Sequence, residues 1–282
     1  MSLSYQHAYH AGGPADLAKH LVLATLLAQL TRKKRPVAYF ETHAGRGLYD
    51  LGGVEAQKTG EAAEGVEAWE KALGKLPPHP FTAALRQVRA AYGPRAYPGS
   101  PLVARALLRD TDLMALMELH PAEHRALCET FDACALPGPD PLIEKRDGGE
   151  GARDRLPPSE RRGLVLIDPS YELKEEYVST GQLAMDCLVR WPEAIIAVWY
   201  PILPAGRHMD LRQKVSVLRP LVLENAFELK GGAGMTGTGM LILNAPHGTE
   251  ASLSAALALG APVLQPMPRR GKPARGAPKQ GA

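Results

Sequence analysis

Arg161-Arg162-Gly163-Leu164-Val165-Leu166-Ile167-Asp168-Pro169-Ser170-Tyr171 sets a short apolar run between a basic pair and a proline. Four consecutive apolar residues bounded by breakers predict a fully buried strand over Leu164–Ile167. In an open α/β sheet, ligands gather beyond the carboxyl ends of the strands. Asp168 to Tyr171 therefore fall where chemistry is expected. A carboxylate, a proline carbonyl and an aromatic ring in this order suit one task, holding an exocyclic amino group. Asp168 and the Pro169 carbonyl can each accept one of its N–H bonds while the Tyr171 ring stacks on the base.

Outward from that strand, the same alternation runs along the chain. Residues 14–31 predict a helix with Pro14 near its start and an apolar stripe. Strands are expected at Val37–Phe40, Leu113–Leu119, Pro141–Lys145, Ala194–Tyr200, Leu221–Leu229 and Met240–Asn244, with helices at Pro121–Cys134, Glu172–Arg190 and Met209–Leu218. Seven strands with interleaved helices argue for a doubly wound, mostly parallel sheet. The last two leave little room for a crossover helix, so they read as an antiparallel hairpin. The pattern predicts an α/β, Rossmann-like fold and matches the seven-stranded layout of class I methyltransferases. Residues 1–48 and 97–265 form the main domain, and 49–96, polar, helical and broken by Pro77-Pro78, form a small inserted helical subdomain. Residues 266–282 read as a disordered basic tail, Pro/Gly/Ala-rich and without apolar period.

Composition narrows the class. The chain has 282 residues, is 45% hydrophobic, and carries a formal charge of +3. Its isoelectric point near 8.7 permits a nucleic-acid partner without requiring one. Arg32-Lys33-Lys34-Arg35 is a compact basic run that could touch phosphates, or could be a solvated helix end. Cys128, Cys134 and Cys187 make no CxxC pair, which points to reduced thiols in the cytoplasm. The first residues lack the pattern of an export signal, and no apolar stretch is long enough to span a bilayer, so no membrane partner is expected. His7, His10, His20 and His43 match no zinc spacing, so no metal is expected. Neither G-x-S-x-G nor a Walker A loop occurs, which argues against serine hydrolases and P-loop NTPases.

Three further strand ends carry candidate ligands. Glu41-Thr42-His43-Ala44-Gly45-Arg46-Gly47 ends the first strand in Gly-x-Gly, whose acid fits the charged amino-acid end of S-adenosyl-L-methionine better than a pyrophosphate. Glu118, ending the second strand, can accept from both hydroxyls of a ribose, and that role serves AdoMet or NAD equally. Asp147-Gly148 follows the third strand and is either an acceptor for an adenine amino group or a turn. Nothing local separates Ser100, in Tyr97-Pro98-Gly99-Ser100-Pro101, from another turn.

In combination these pieces resemble the bacterial 23S ribosomal RNA (adenine-N6) methyltransferase J family. Asp168–Tyr171 is close to the Asp-Pro-Pro-Tyr signature of enzymes that methylate amino nitrogens. Leu3-Ser4-Tyr5-Gln6-His7-Ala8-Tyr9-His10-Ala11-Gly12, then Ala15-Asp16 and Lys19-His20, look like that family's opening. Thr42–Gly45, Tyr97–Pro101, Glu118–Pro121, Arg161–Gly163, Trp199-Tyr200-Pro201 and Gly234-Met235-Thr236 match in order, so the likeness runs from about residue 3 to 247. Ser170 departs from the pattern, standing where the family has its second proline. The amino-group clamp survives the exchange, but proline's fixed φ is lost.

The resemblance implies AdoMet as cofactor, S-adenosyl-L-homocysteine as product, and N6 of adenine 2030 as the acceptor. It implies an AdoMet site lined by His20, His43, Ser100, Glu118, Asp147, Gly148 and Asp168, with Lys19 beside them. Asp168 is the expected catalytic residue, and Tyr5, Pro169 and Tyr171 are expected to meet the target base or RNA. The expected partner is 23S ribosomal RNA, protein-free or in an early assembly intermediate, with no obligate protein partner evident. Two other readings stay open, a DNA adenine-N6 methyltransferase and a catalytically weak RNA-binding protein on the same fold. An NAD-dependent oxidoreductase would leave Asp168–Tyr171 without a purpose.

Overall fold

A computed structural model describes residues 7–229 and 234–267. Tyr5 and residues 268–282 of the basic tail lie outside the described residues.

In chain order the elements are α1 (Pro14–Thr31), β1 (Ala38–Glu41), β2 (Leu48–Asp50), α2 (Val54–Thr59), α3 (Glu61–Glu64), α4 (Val66–Leu73), α5 (Pro80–Tyr92), β3 (Ala96–Pro98), α6 (Ser100–Arg105), β4 (Leu113–Met117), α7 (Pro121–Asp132), β5 (Leu142–Glu144), α8 (Gly148–Arg155), β6 (Gly163–Ile167), α9 (Glu176–Arg190), β7 (Ile195–Ile202), α10 (His208–Val215), β8 (Leu221–Ala226), β9 (Gly237–Leu243), α11 (Thr249–Leu259) and β10 (Gln265–Pro266). Eight strands form one sheet in the order β10-β8-β9-β7-β6-β1-β4-β5. All seven expected strands are present. The eighth, β10, pairs antiparallel with β8. It contains only two residues, too short for any alternation to announce it.

β9 enters between β7 and β8 and runs antiparallel to both, as expected for a closing hairpin. The remaining pairs from β7 to β5 are parallel. Every residue of β1, β6, β7 and β9 is buried. Strands covered on both faces carry continuous apolar runs, which is why Leu164–Ile167 shows no alternation. α1 is buried almost all round and lies among α5, α6 and α11, whereas α8, α9 and α10 pack together elsewhere.

The segment between β1 and α6 holds four helices closed at its neck by the antiparallel pair β2–β3. Trp69 and Phe81 from these helices join the main core, and Trp69 Nε1 donates to the Leu259 carbonyl at 2.7 Å. Their burial against α1 and α11 gives short helices stability that propensity alone does not supply.

Candidate active site

The carboxyl ends of β1, β4 and β6 open on a cavity of about 230 Å³, roofed by the N-terminal segment and the start of α1. At its floor stands Asp168, directly after β6. Lys19 Nζ donates to Asp168 Oδ2 at 2.7 Å and lies 2.9 Å from Asp16 Oδ1. Asp16 Oδ2 in turn accepts from His7 Nε2 at 2.9 Å and from the Gly12 N–H at 3.1 Å. A continuous polar chain thus links the N-terminal segment to the end of β6. Burial opposes the Lys19 charge, but Asp16 and Asp168 outweigh it and hold its pKa well above the ordinary value. Burial likewise opposes the Asp16 carboxylate, and His7 and Lys19 outweigh it, keeping Asp16 ionised. Such a buried pair persists only because each charge has partners. Asp168 Oδ1 and the Pro169 carbonyl take no hydrogen bond among the described residues, and both residues line the cavity.

Tyr171 has φ of +55°, so the chain turns sharply after the Asp168-Pro169-Ser170 segment. Its ring is buried, packs on Tyr177 at 4.5 Å between centroids, and its hydroxyl donates to the Trp199 carbonyl at 2.6 Å. This anchor fixes the ring as a wall of the cavity. Trp199 supplies the adjoining wall; its Nε1 donates to Thr238 Oγ1 at 2.7 Å and its ring lies 5.7 Å from Lys19 Nζ.

Two histidines, His20 buried and His43 half-buried, also line the cavity. His20 Nδ1 meets the Tyr97 hydroxyl at 2.9 Å, while its Nε2 is buried without a partner. Burial pulls its pKa to about 3, so it is neutral at physiological pH. His43 Nδ1 meets Thr42 Oγ1 at 2.7 Å, and Thr42 Oγ1 can itself donate to the Leu166 carbonyl at 3.3 Å. The tautomer that satisfies both contacts puts the proton on Nδ1 and leaves Nε2 as an acceptor. That Nε2 is also buried and unpaired, and burial lowers the His43 pKa to about 4. Two buried polar atoms without partners, on residues that both line the cavity, are costly unless another polar group meets them.

Glu118 lies in the wall at the end of β4, its carboxylate accepting from the N–H groups of Gly45 and His120, each at 2.8 Å. Burial raises its pKa despite those donors. Gly45 turns there with φ of +60°, and a Cβ on it would meet the Tyr49 hydroxyl at 2.7 Å. Ser100 reaches the cavity at the start of α6, but its hydroxyl is spent on Glu41, which also accepts from the Tyr39 hydroxyl at 2.8 Å. Burial pushes the Glu41 pKa up to about 8, with the Ser100 and Tyr39 hydrogen bonds opposing.

Asp147 and Gly148 do not line the cavity. β5 ends at Glu144, and Asp147 caps α8, accepting from the Glu150 N–H at 2.9 Å. Gly148 is needed for packing, since a Cβ there would lie 1.9 Å from the Thr42 carbonyl oxygen. Asp147 still reaches the site electrostatically, favouring the charged form of His43. Asp16, Trp199 and His7 line the cavity with no role assigned from sequence. The Asp16–Lys19 spacing of three on a helix was the visible signal for the first; Trp199 was hidden in a strand that reads as ordinary core.

A family model described as ribosomal RNA large subunit methyltransferase D, RlmJ, matches residues 34–272. The chain is 33% identical over 260 residues to ribosomal RNA large subunit methyltransferase J of Escherichia coli, covering 89% of this chain and 90% of that protein. To the protein of the same name from Haemophilus influenzae it is 34% identical over 259 residues, with 89% and 90% covered. A crystal structure of a Legionella pneumophila protein superposes with a TM-score of 0.76 at 32% identity, covering 90% of this chain and 95% of that one. Among the described residues, no helix is long and apolar enough to cross a membrane.

Proposed function

The chain belongs to the ribosomal RNA large subunit methyltransferase J family, and from that premise we propose that it methylates N6 of one adenine, adenine 2030, in 23S ribosomal RNA. The observation that carries the reading is the Asp168–Pro169 pair. It offers two unshared acceptors at the edge of the cavity that His20 and His43 also line.

The residues fit AdoMet. Its charged amino-acid end has polar groups for both signs in His20, His43 and the Asp16–Lys19–Asp168 cluster, and its ribose has Glu118. Ser100 would act through Glu41. Asp147 and Gly148 would act by holding α8 against the Thr42 carbonyl beside His43. When bound, the cofactor supplies an electrophilic methyl group on a sulfonium.

Everything else falls to the chain's own side chains. Asp168 Oδ1 and the Pro169 carbonyl accept the two amino N–H bonds of the target adenine, turning the nitrogen lone pair toward the methyl donor. Lys19 holds the other Asp168 oxygen and keeps the carboxylate from rotating away. As the nitrogen gains a bond its N–H becomes strongly acidic, and Asp168 takes the proton directly or through water. A base within a stem must leave its stack to reach this pocket, and the Tyr171 and Trp199 rings give it an aromatic surface to lie on. Tyr5 would approach from the N-terminal side. Ser170 leaves both acceptors in place.

Labelled AdoMet supplied with protein-free 23S RNA from a strain lacking the modification tests the reading. Label as N6-methyladenosine at one position, absent with Asp168→Ala, is the expected result. No transfer by the wild type to this RNA, with assembled large subunits, duplex DNA and naked RNA compared, would overturn it. Naked RNA as the preferred substrate would place the reaction early in ribosome assembly, in the cytoplasm.

A further inference from the structure

Two basic motifs far apart in sequence, Arg32–Arg35 and Arg161-Arg162, meet at one place in the fold. Both lead into adjacent parallel strands, where Ala38 pairs with Gly163 and the Ala38 N–H donates to the Arg162 carbonyl at 2.9 Å. Between them lies a hollow of about 260 Å³ lined by Arg35, Pro36, Ser159, Glu160, Arg161 and Arg162.

Four cations of the first motif stand exposed in the loop from α1 to β1 and form no ion pair among the described residues. Arg109 braces that loop, donating to the Lys33 and Arg35 carbonyls at 2.8 and 3.0 Å while its own charge is spent on Asp112. The loop is therefore held in shape with its charges unspent. In the second motif, Arg162 Nη2 donates to the Leu30 carbonyl at 3.0 Å, but Nη1 is buried with no partner. A buried guanidinium N–H without an acceptor is costly. An anion with several oxygens suits the exposed cations around the hollow, Arg161 among them, whose pairing with Glu193 at 3.1 Å is itself exposed.

We infer that this hollow, at the end of the sheet opposite the active site, binds backbone phosphates of the RNA substrate outside the segment that enters the cavity. The inference rests on the RNA methyltransferase reading. Six residue steps of extended chain lead from Arg162 to Asp168, roughly 20 Å. One short hairpin with its base in the cavity does not extend to this end, whereas a longer RNA continues around the domain. Phosphate contacts fix orientation and carry no sequence information, so the hollow contributes affinity rather than choice of base.

The test compares the full-length wild type with Lys33→Glu/Arg35→Glu and, separately, Arg161→Glu, all changes at exposed positions outside the active site. Methyl transfer is measured on a minimal hairpin and on a long 23S fragment across a salt series. The expected result is a KM on the long RNA raised about tenfold, a salt slope reduced by about 2 for the double variant, and unchanged kinetics on the hairpin. Equal KM on the long RNA for wild type and both variants would overturn the inference. So would equal losses on hairpin and long RNA, or binding to phosphatidylglycerol vesicles that depends on these residues while RNA binding does not. A wild type inactive on both RNAs would instead refute the methyltransferase reading itself. Melting temperatures within a degree or two of wild type show that a loss is not unfolding.

Discussion

Lys19 Nζ and Asp168 Oδ2 stand 2.7 Å apart although the two residues are 149 positions apart in the chain. The contact joins the first helix of the fold to the residue after its central strand. It makes the Asp168 carboxylate part of a charge network rather than a free side chain.

Asp168→Asn keeps the shape of the side chain and removes its ability to take a proton. Single-turnover methyl transfer is expected to fall by about 100-fold or more. AdoMet affinity, measured by titration calorimetry, should change far less. A variant as fast as wild type would remove Asp168 from proton transfer.

Lys19→Met leaves two carboxylates facing one another with no cation between them. Breaking a buried pair in this way costs about 3–5 kcal/mol. Asp16→Asn combined with Lys19→Met should cost less than the two single changes added, because the residues share one network. Denaturant unfolding of the four proteins closes that cycle, and strict additivity would mean the network is not coupled.

Glu41 gives the fold a pH dependence of known sign. Its pKa rises from the ordinary 4.5 to about 8 on folding, so the folded state binds the extra proton. The stability that this proton brings is fully present below about pH 4.5 and is lost as the pH rises toward 8, by at most about 1.4 kcal/mol per unit. Glu41→Gln should flatten the wild-type slope between those values in thermal melts. His20 acts in the opposite sense. Its pKa falls to about 3 on folding, so stability is lost as pH drops below 6.5.

Gly148→Ala places a methyl 1.9 Å from the Thr42 carbonyl oxygen, where backbone must move to admit it. We expect a loss of roughly 3 kcal/mol in stability, with weakened AdoMet binding as the β1 loop shifts His43. A variant with normal melting and normal AdoMet affinity would show that α8 can retreat without disturbing the site.

The parts of the molecule that were readable beforehand share a physical cause. Buried parallel strands must be continuously apolar, so Leu164–Ile167 and Ala194–Tyr200 announced themselves. Residues following such strands face a common edge, so Glu118 and Asp168 were readable as partners in one site. What stayed hidden depends on contacts between distant segments. Asp147 has the same composition whether it meets a ligand or caps a helix; only the Glu150 N–H decides it. Tyr171 reads as a ring free to stack, yet its hydroxyl is tied to Trp199. The neck strands β2 and β3 are three residues each and lie 45 residues apart, beyond the range of any local pattern.

The position of β9 bears on how the protein is made. β9 comes after β8 in the chain yet separates it from β7, so during synthesis β7 has no partner on that side until residue 243 has emerged. Until then an apolar strand edge stays open to wrong pairings. Trp199 waits as well, since Thr238, the acceptor for its indole, belongs to the same late strand. A nascent chain halted before Gly237 is thus expected to carry the Asp168 loop but neither α11, which packs on α1, nor a finished aromatic wall. The capacity to act on ribosomal RNA arrives only as about the last sixth of the enzyme leaves a ribosome.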